Sequence, residues 1–239
     1  MRIGPFTNLI SETFGVPKKT TTVVARALRE ADLLTSGARG VNAPDMSATD
    51  AARLSLALLT GEPPSTVVEE LQFIRTLQCT DAVPEDTVTE TDQLRERHTI
   101  EELMIALIEA LGSPGWKKRH CEPVWDDFIC PNISISIDAS CREAEVRFPR
   151  FSGEYVDIGG QQRLDELYAT RPMNYDNWQE IEAIQARARP EGRGMRVVRT
   201  ISGAELFSLA VAITDKGVGQ APDAEKSNRP ASAEEQANP

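Results

Sequence analysis

Histidine and aromatic residues are scarce: the 239-residue chain has two His, and Phe, Trp and Tyr together make up 5% of it. With only His98 and His120 to draw on, a His-based nucleophile or acid–base pair has few ways to form, and no Ser or Cys elbow motif stands beside them. His98 lies just ahead of a helix cap and reads as a surface residue. Asp126 and Asp127, beside Trp125, are direct neighbours, so their side chains diverge rather than converge as a catalytic pair. No enzyme activity is expected. A nucleotide loop is missing too, because Gly37-Ala38-Arg39-Gly40 has neither the spacing, the Lys nor the preceding strand of a Walker motif.

Cysteine is sparse and scattered. Cys79, Cys121, Cys130 and Cys141, without a secretory signal, read as reduced thiols rather than a disulfide framework. With His120 they form the one conceivable metal set, yet eight and ten residues separate Cys121, Cys130 and Cys141. A structural zinc site uses a tight C-x₂₋₄-C chelate, so neither metal nor cofactor is expected. No apolar run approaches the roughly 20 residues that span a bilayer. The opening residues hold one Arg and no apolar core with a small-residue cleavage site, so no signal peptide or membrane partner is expected and the cytoplasm is the default.

What the chain has in quantity is acid. The formal net charge is −11, unevenly spread. Residues 1–44 hold six Lys/Arg against three acids, whereas 61–110 hold three against twelve. A basic head therefore precedes a strongly acidic middle, which excludes uniform nucleic-acid affinity and leaves a local contact open. With so few aromatics, the core must rest on Leu, Ile, Val and Ala.

Apolar spacing predicts helices from Pro5 to Gly15 and from Pro17 to Leu34, the second with Val24, Ala27, Leu28, Ala31 and Leu34 on its inner face. Ser47-x-x-Asp50 resembles a capping box and opens a helix to about residue 60, and another runs through 65–78. Residues 80–97 are polar and acidic and read as a linker. Thr99-x-x-Glu102 is a full capping box for a helix ending at Gly112. The period then changes: "ISISIDAS" alternates strictly, and "REAEVRFPRF" and "GEYVDIGG" follow as further antiparallel strands. A helix over 176–188, a strand "MRVVRTI" and a third capping box, Ser202-x-x-Glu205, complete the pattern. From residue 215 almost nothing is apolar, which predicts a disordered tail.

The fold class expected is therefore α+β. Residues 1–79 would form a helical, DNA-binding-like domain, 80–97 an acidic linker, 98–214 a smaller α+β domain with a short antiparallel sheet, and 215–239 the tail. Two further basic clusters, Lys117-Lys118-Arg119 and the Arg residues of "ARARPEGRGMRVVR", could meet phosphates or an acidic partner, although Arg196 and Arg199 alternate as on a solvent-facing strand.

The N-terminal segment carries the functional signal. Leu9-Ile10-x-x-x-Phe14-Gly15-Val16-Pro17 fits the first helix and turn of a helix-turn-helix, with Ser11 as the small residue where the helices cross. Thr21 occupies a position where that register wants an apolar side chain. Thr22-Val-Val-Ala-Arg26-Ala-Leu28 resembles the start of a recognition helix. "LREADLLTSGARGV" resembles the passage from recognition helix into wing of winged-helix regulators, and its continuation into "VNAPDMSATDAARLSLALL" is similar to a module of uncharacterised phage- and prophage-type bacterial proteins. The resemblance covers about residues 5–44. It implies double-stranded DNA as partner and transcription regulation as role, with Lys18, Lys19, Thr22, Arg26, Arg29 and Arg39 as contacts. A solvated helix face shows the same pattern, with Arg26 and Glu30 as an ordinary i,i+4 pair. A protein–protein adaptor or assembly component, with a partner for the C-terminal part or self-association as a homo-oligomer, is the other reading.

Overall fold

Helix starts are written locally, and two of the capping boxes form complete. Ser47 accepts from the Asp50 N–H while Asp50 accepts from the Ser47 N–H, and Thr99 and Glu102 do the same. Each satisfies orphan donors of a first turn, worth about 1 kcal/mol per cap. At the third, the Glu205 carboxylate accepts from the Ser202 N–H at 2.6 Å. The computed structural model describes residues 1–37, 44–80, 97–113, 122–124, 127–129, 133–148, 151–170, 174–188 and 198–214.

In chain order the elements are α1 (Ile3–Phe14), α2 (Lys18–Glu30), α3 (Ala48–Thr60), α4 (Val67–Ile74), β1 (Gln78–Cys79), α5 (Ile100–Leu111), β2 (Glu122–Val124), β3 (Asp127–Ile129), β4 (Ser134–Asp138), β5 (Glu143–Phe148), β6 (Phe151–Val156), α6 (Ile158–Ala169), α7 (Tyr175–Ala188), β7 (Val198–Ser202) and α8 (Gly203–Thr214). The fold is α+β. Five strands form an antiparallel sheet in the order β1-β6-β5-β4-β7, and β2 and β3 pair separately.

Strict alternation puts Ile135, Ile137, Ala144, Val146, Tyr155 and Ile201 on the sheet's inner face, all buried. That face meets α3 and α8, while α5 packs between α3 and α8 and α1 bridges α2 and α8. Apolar residues from Phe6 to Ile213 belong to one cluster, with members on both sides of the acidic stretch. Residues 81–96 of that stretch lie outside the described residues, as does the tail from 215. A buried carboxylate ties the helices: Glu101 of α5 accepts from Arg53 of α3 and, at 2.7 Å, from Arg75 beyond α4. Arg53 also donates to the Leu33 carbonyl at 3.0 Å.

The structure departs from the sequence reading in several places. Helix α2 stops at Glu30 rather than Leu34, because Asp32 takes a left-handed φ of 55° and the Leu33 N–H closes back onto the Leu28 carbonyl. "GEYVDIGG" is strand only to Val156; Asp157 then caps α6, accepting from the Gly160 N–H at 3.0 Å. The glycines that read as strand punctuation are that helix's first turn. The helix expected over 65–78 ends at Ile74, and Gln78–Cys79 turn into an edge strand on β6. His98 is not on the surface: it is 2% exposed, and its Nε2 lies 2.7 Å from the Tyr155 hydroxyl.

Candidate nucleic-acid interface

Three residues, Gly15 to Pro17, separate α1 from α2. Gly15 ends α1 at φ 63°, a left-handed conformation that side chains with a Cβ resist. The Val16 N–H returns to the Ser11 carbonyl at 3.1 Å. Ser11 Oγ donates to the Val16 carbonyl at 2.6 Å, so the small residue at the crossing also closes the turn.

Across this turn, α2 buries Thr21, Val24, Ala25 and Leu28, and α1 contributes Phe6 and Ile10 to the same interior. The position that wanted an apolar residue is indeed buried, but Thr21 fills it with a hydroxyl that finds no hydrogen-bond partner among the described residues. Such a group costs about 1–3 kcal/mol.

The opposite face of α2 exposes Lys18, Lys19, Thr20, Thr22, Val23, Arg26 and Arg29. Arg26 pairs with Glu30 at 2.7 Å, with both side chains mostly in solvent, and this bond raises the guanidinium pKa further. Thr22 Oγ1 donates to the Lys18 carbonyl at 2.8 Å. Lys18, Lys19 and Arg29 have no carboxylate partner among the described residues.

Two of these cations sit in the first helical turn, which contains no acid and no side-chain cap. Cations there oppose the helix dipole, a cost of about 0.3–1 kcal/mol each in folding. The same arrangement, free amides beside two ammonium groups, suits an anion.

Arg39 lies outside the described residues, which end at Gly37 and resume at Pro44. The flanks of that gap are held together. A Cβ on Gly37 would stand 2.9 Å from Pro44 Cδ, so glycine is what lets the two strands of chain meet. Buried Asp50 accepts from Thr35 N (2.6 Å) and Oγ1 (2.9 Å), and from Ser47 N (2.7 Å) and Oγ (2.8 Å). One carboxylate thus clamps both sides, directly after the helix with the basic face. Sequence reading found Asp50 as a helix cap; its second role, on Thr35, depends on the two flanks being adjacent in space.

The other candidates separate. His120, Cys121, Cys130, Asp126, the cluster 117–119 and Arg189, Arg193 and Arg196 lie outside the described residues. Cys141 is half-buried, and burial together with the Glu143 carboxylate pushes its thiol up to about 12. Arg199 does not face solvent along its strand. Its Nη1 donates to the Thr60 carbonyl at 2.9 Å, placing a cation at the C-terminus of α3 where the dipole favours it.

A polar group that sequence reading missed is Cys79–Tyr155–His98, all buried under the β1–β6 pairing. Burial, with the Cys79 thiol alongside, raises the Tyr155 phenol. The two-residue strand that assembles it has no periodic signal to find. Among the described residues no helix is long and apolar enough to cross a membrane, and no group of three or more ligating side chains gathers as for a metal ion. The chain matches no protein-family model, no curated protein and no solved structure.

Proposed function

We propose that this chain binds double-stranded DNA through α2, as a helix-turn-helix regulator of transcription of phage or prophage type. The observation that carries this is the division of α2: one face is built into the core, and the other holds Lys18, Lys19, Thr22, Arg26 and Arg29, with the two lysines set against the helix dipole. A face backed by packed side chains holds its cations at fixed spacing, as phosphate and base-edge contacts require. Arg39, in sequence between the Thr35 and Ser47 flanks that Asp50 joins, supplies a flanking phosphate contact in this reading. The overall charge of −11 opposes DNA at long range, so affinity rests on this local face.

The test is fluorescence anisotropy of the full chain with duplexes from a random-sequence selection. Five phosphate contacts, one for each of these cations, predict a slope of about −4.5 in log K against log salt, a loss of about five-hundredfold between 50 and 200 mM. Arg26→Glu with Arg29→Glu should lower that slope by about 2 while lowering the melting temperature by only a few degrees, through the lost Arg26–Glu30 pair. Binding to no duplex, or binding insensitive to salt, overturns the reading. A second reading, a protein–protein adaptor, is favoured by the aromatic side chains that α7 leaves in solvent, Tyr175 at 73% and Trp178 at 50% exposure; it predicts a protein partner and no duplex binding.

A further inference from the structure

We propose that the groove between the outer sheet face and the α6–α7 hairpin is a docking site for a cationic, amphipathic helix of a partner protein. It is independent of the α2 face and of what that face binds.

The groove has a volume of about 1490 Å³. That exceeds the roughly 300–1,000 Å³ of small-molecule pockets. A helix about 10 Å across and three turns long fills on the order of 1,300 Å³. Half-buried Val156 of β6, Leu164 of α6 and Ile184 of α7 line it together with Phe73. These can take the apolar stripe of a helix, spaced at i, i+3, i+4 and i+7.

Charge selects the partner's sign. Among the described residues, the groove's lining carries Glu143, Glu154, Asp157 and Glu182, and its one cation is Arg142. Arg142 is already spent: it grips Glu70 through Nε and Nη2 at 2.7–3.2 Å and donates to the Arg187 carbonyl at 2.6 Å. Glu154 stands directly across the strands from Glu145. Arg147 offsets Glu145, but the Glu154 and Glu182 carboxylates have no cation among the described residues. Like charges facing across a sheet destabilise it, and a cationic occupant relieves that cost. The hairpin can also adjust, since Leu167 is the only buried residue of α6 and Ile181 the only one of α7.

The experiment uses the full chain and two fluorescein-labelled 14-residue probes of equal charge, a Lys/Leu peptide with a helical apolar stripe and a Lys/Ser peptide without one. The Lys/Leu probe should bind at least about tenfold tighter. Glu154→Lys with Glu182→Lys, both exposed positions that folding tolerates, should weaken it by about tenfold or more, and so should Leu164→Asp. Arg26→Glu with Arg29→Glu should leave it unchanged. Equal binding of both probes, unaltered binding by the groove variants, or no binding of the Lys/Leu probe overturns the proposal. None of these outcomes bears on the DNA reading, which the duplex titration decides.

Discussion

Helix α2 and the α6–α7 hairpin are both amphipathic, both surface elements and both rich in charge, yet they are attached differently. Thirteen-residue α2 buries four residues, three of them (Val24, Ala25 and Leu28) in the main cluster, whereas twelve-residue α6 and fourteen-residue α7 bury one each. The hairpin holds by Leu167, Ile181, the exposed Arg163–Glu180 pair at 2.6 Å and the Arg142 bond to the Arg187 carbonyl. That contrast sets how each face can be used. A helix locked into the core presents charges at set positions, which suits reading a rigid duplex. A hairpin held at a few points opens locally at low cost and makes an adjustable wall.

The largest expected effect breaks the hairpin's anchor. Arg142→Ala removes the guanidinium from Glu70, whose side chain is 3% exposed. Loss of one partner of a buried pair costs about 3–5 kcal/mol, to be read by chemical denaturation. Amide exchange should accelerate in α6 and α7 ahead of α2. Because Arg142 sits at φ 54°, Arg142→Gly should be milder than Arg142→Ala by about 1 kcal/mol.

A smaller effect, of opposite sign, tests the other side of the comparison. Thr21→Val replaces the unpartnered hydroxyl with a methyl of the same shape, and should stabilise the chain by about 1 kcal/mol. A rise in melting temperature with unchanged duplex affinity would separate the buried face of α2 from its exposed one.

Acid should distinguish the two regions without any mutation. The hydrogen bond from Arg163 holds Glu180 below its ordinary value. A depressed carboxylate contributes stability above its unfolded pKa and loses it as pH falls through the folded value. The hairpin therefore loosens on acidification, visible as falling protection of α6 and α7 amides, and Glu180→Gln abolishes that dependence.

The smallest effect is chemical. With its thiol at about 12, Cys141 is thiolate at only about one part in ten thousand at pH 8, so reaction with a disulfide reagent should be slow. Glu143→Gln should speed it, the Glu143 hydrogen bond being the cause second to burial.

Several of these features were legible in the chain itself. The buried Val24 and Leu28 and the exposed Lys19, Arg26 and Arg29 follow from a 3.6-residue period, which any helix imposes on its own side chains. The Ser47 and Thr99 boxes need only three residues of reach. Helix α6 was illegible because Gly159 and Gly160 imitate a turn, and the burial of His98 depends on Tyr155, 57 residues away. Arg142 draws together Glu70 and Arg187, 72 and 45 residues distant, and no local pattern announces such a triad.

Sequence alone was enough for the starts of the capped helices α3, α5 and α8, for the apolar face of α2, and for a net positive first 44 residues in an acidic chain. Those are consequences of dihedral preference, periodicity and charge count, which act over a few residues. Long-range packing is what brings helices on both sides of the acidic stretch into one core, joins two flanks at Asp50 and sets four carboxylates around one groove. Burial and pairing across 50 or more residues depend on which surfaces meet, and that is settled by packing the whole chain rather than by any segment of it.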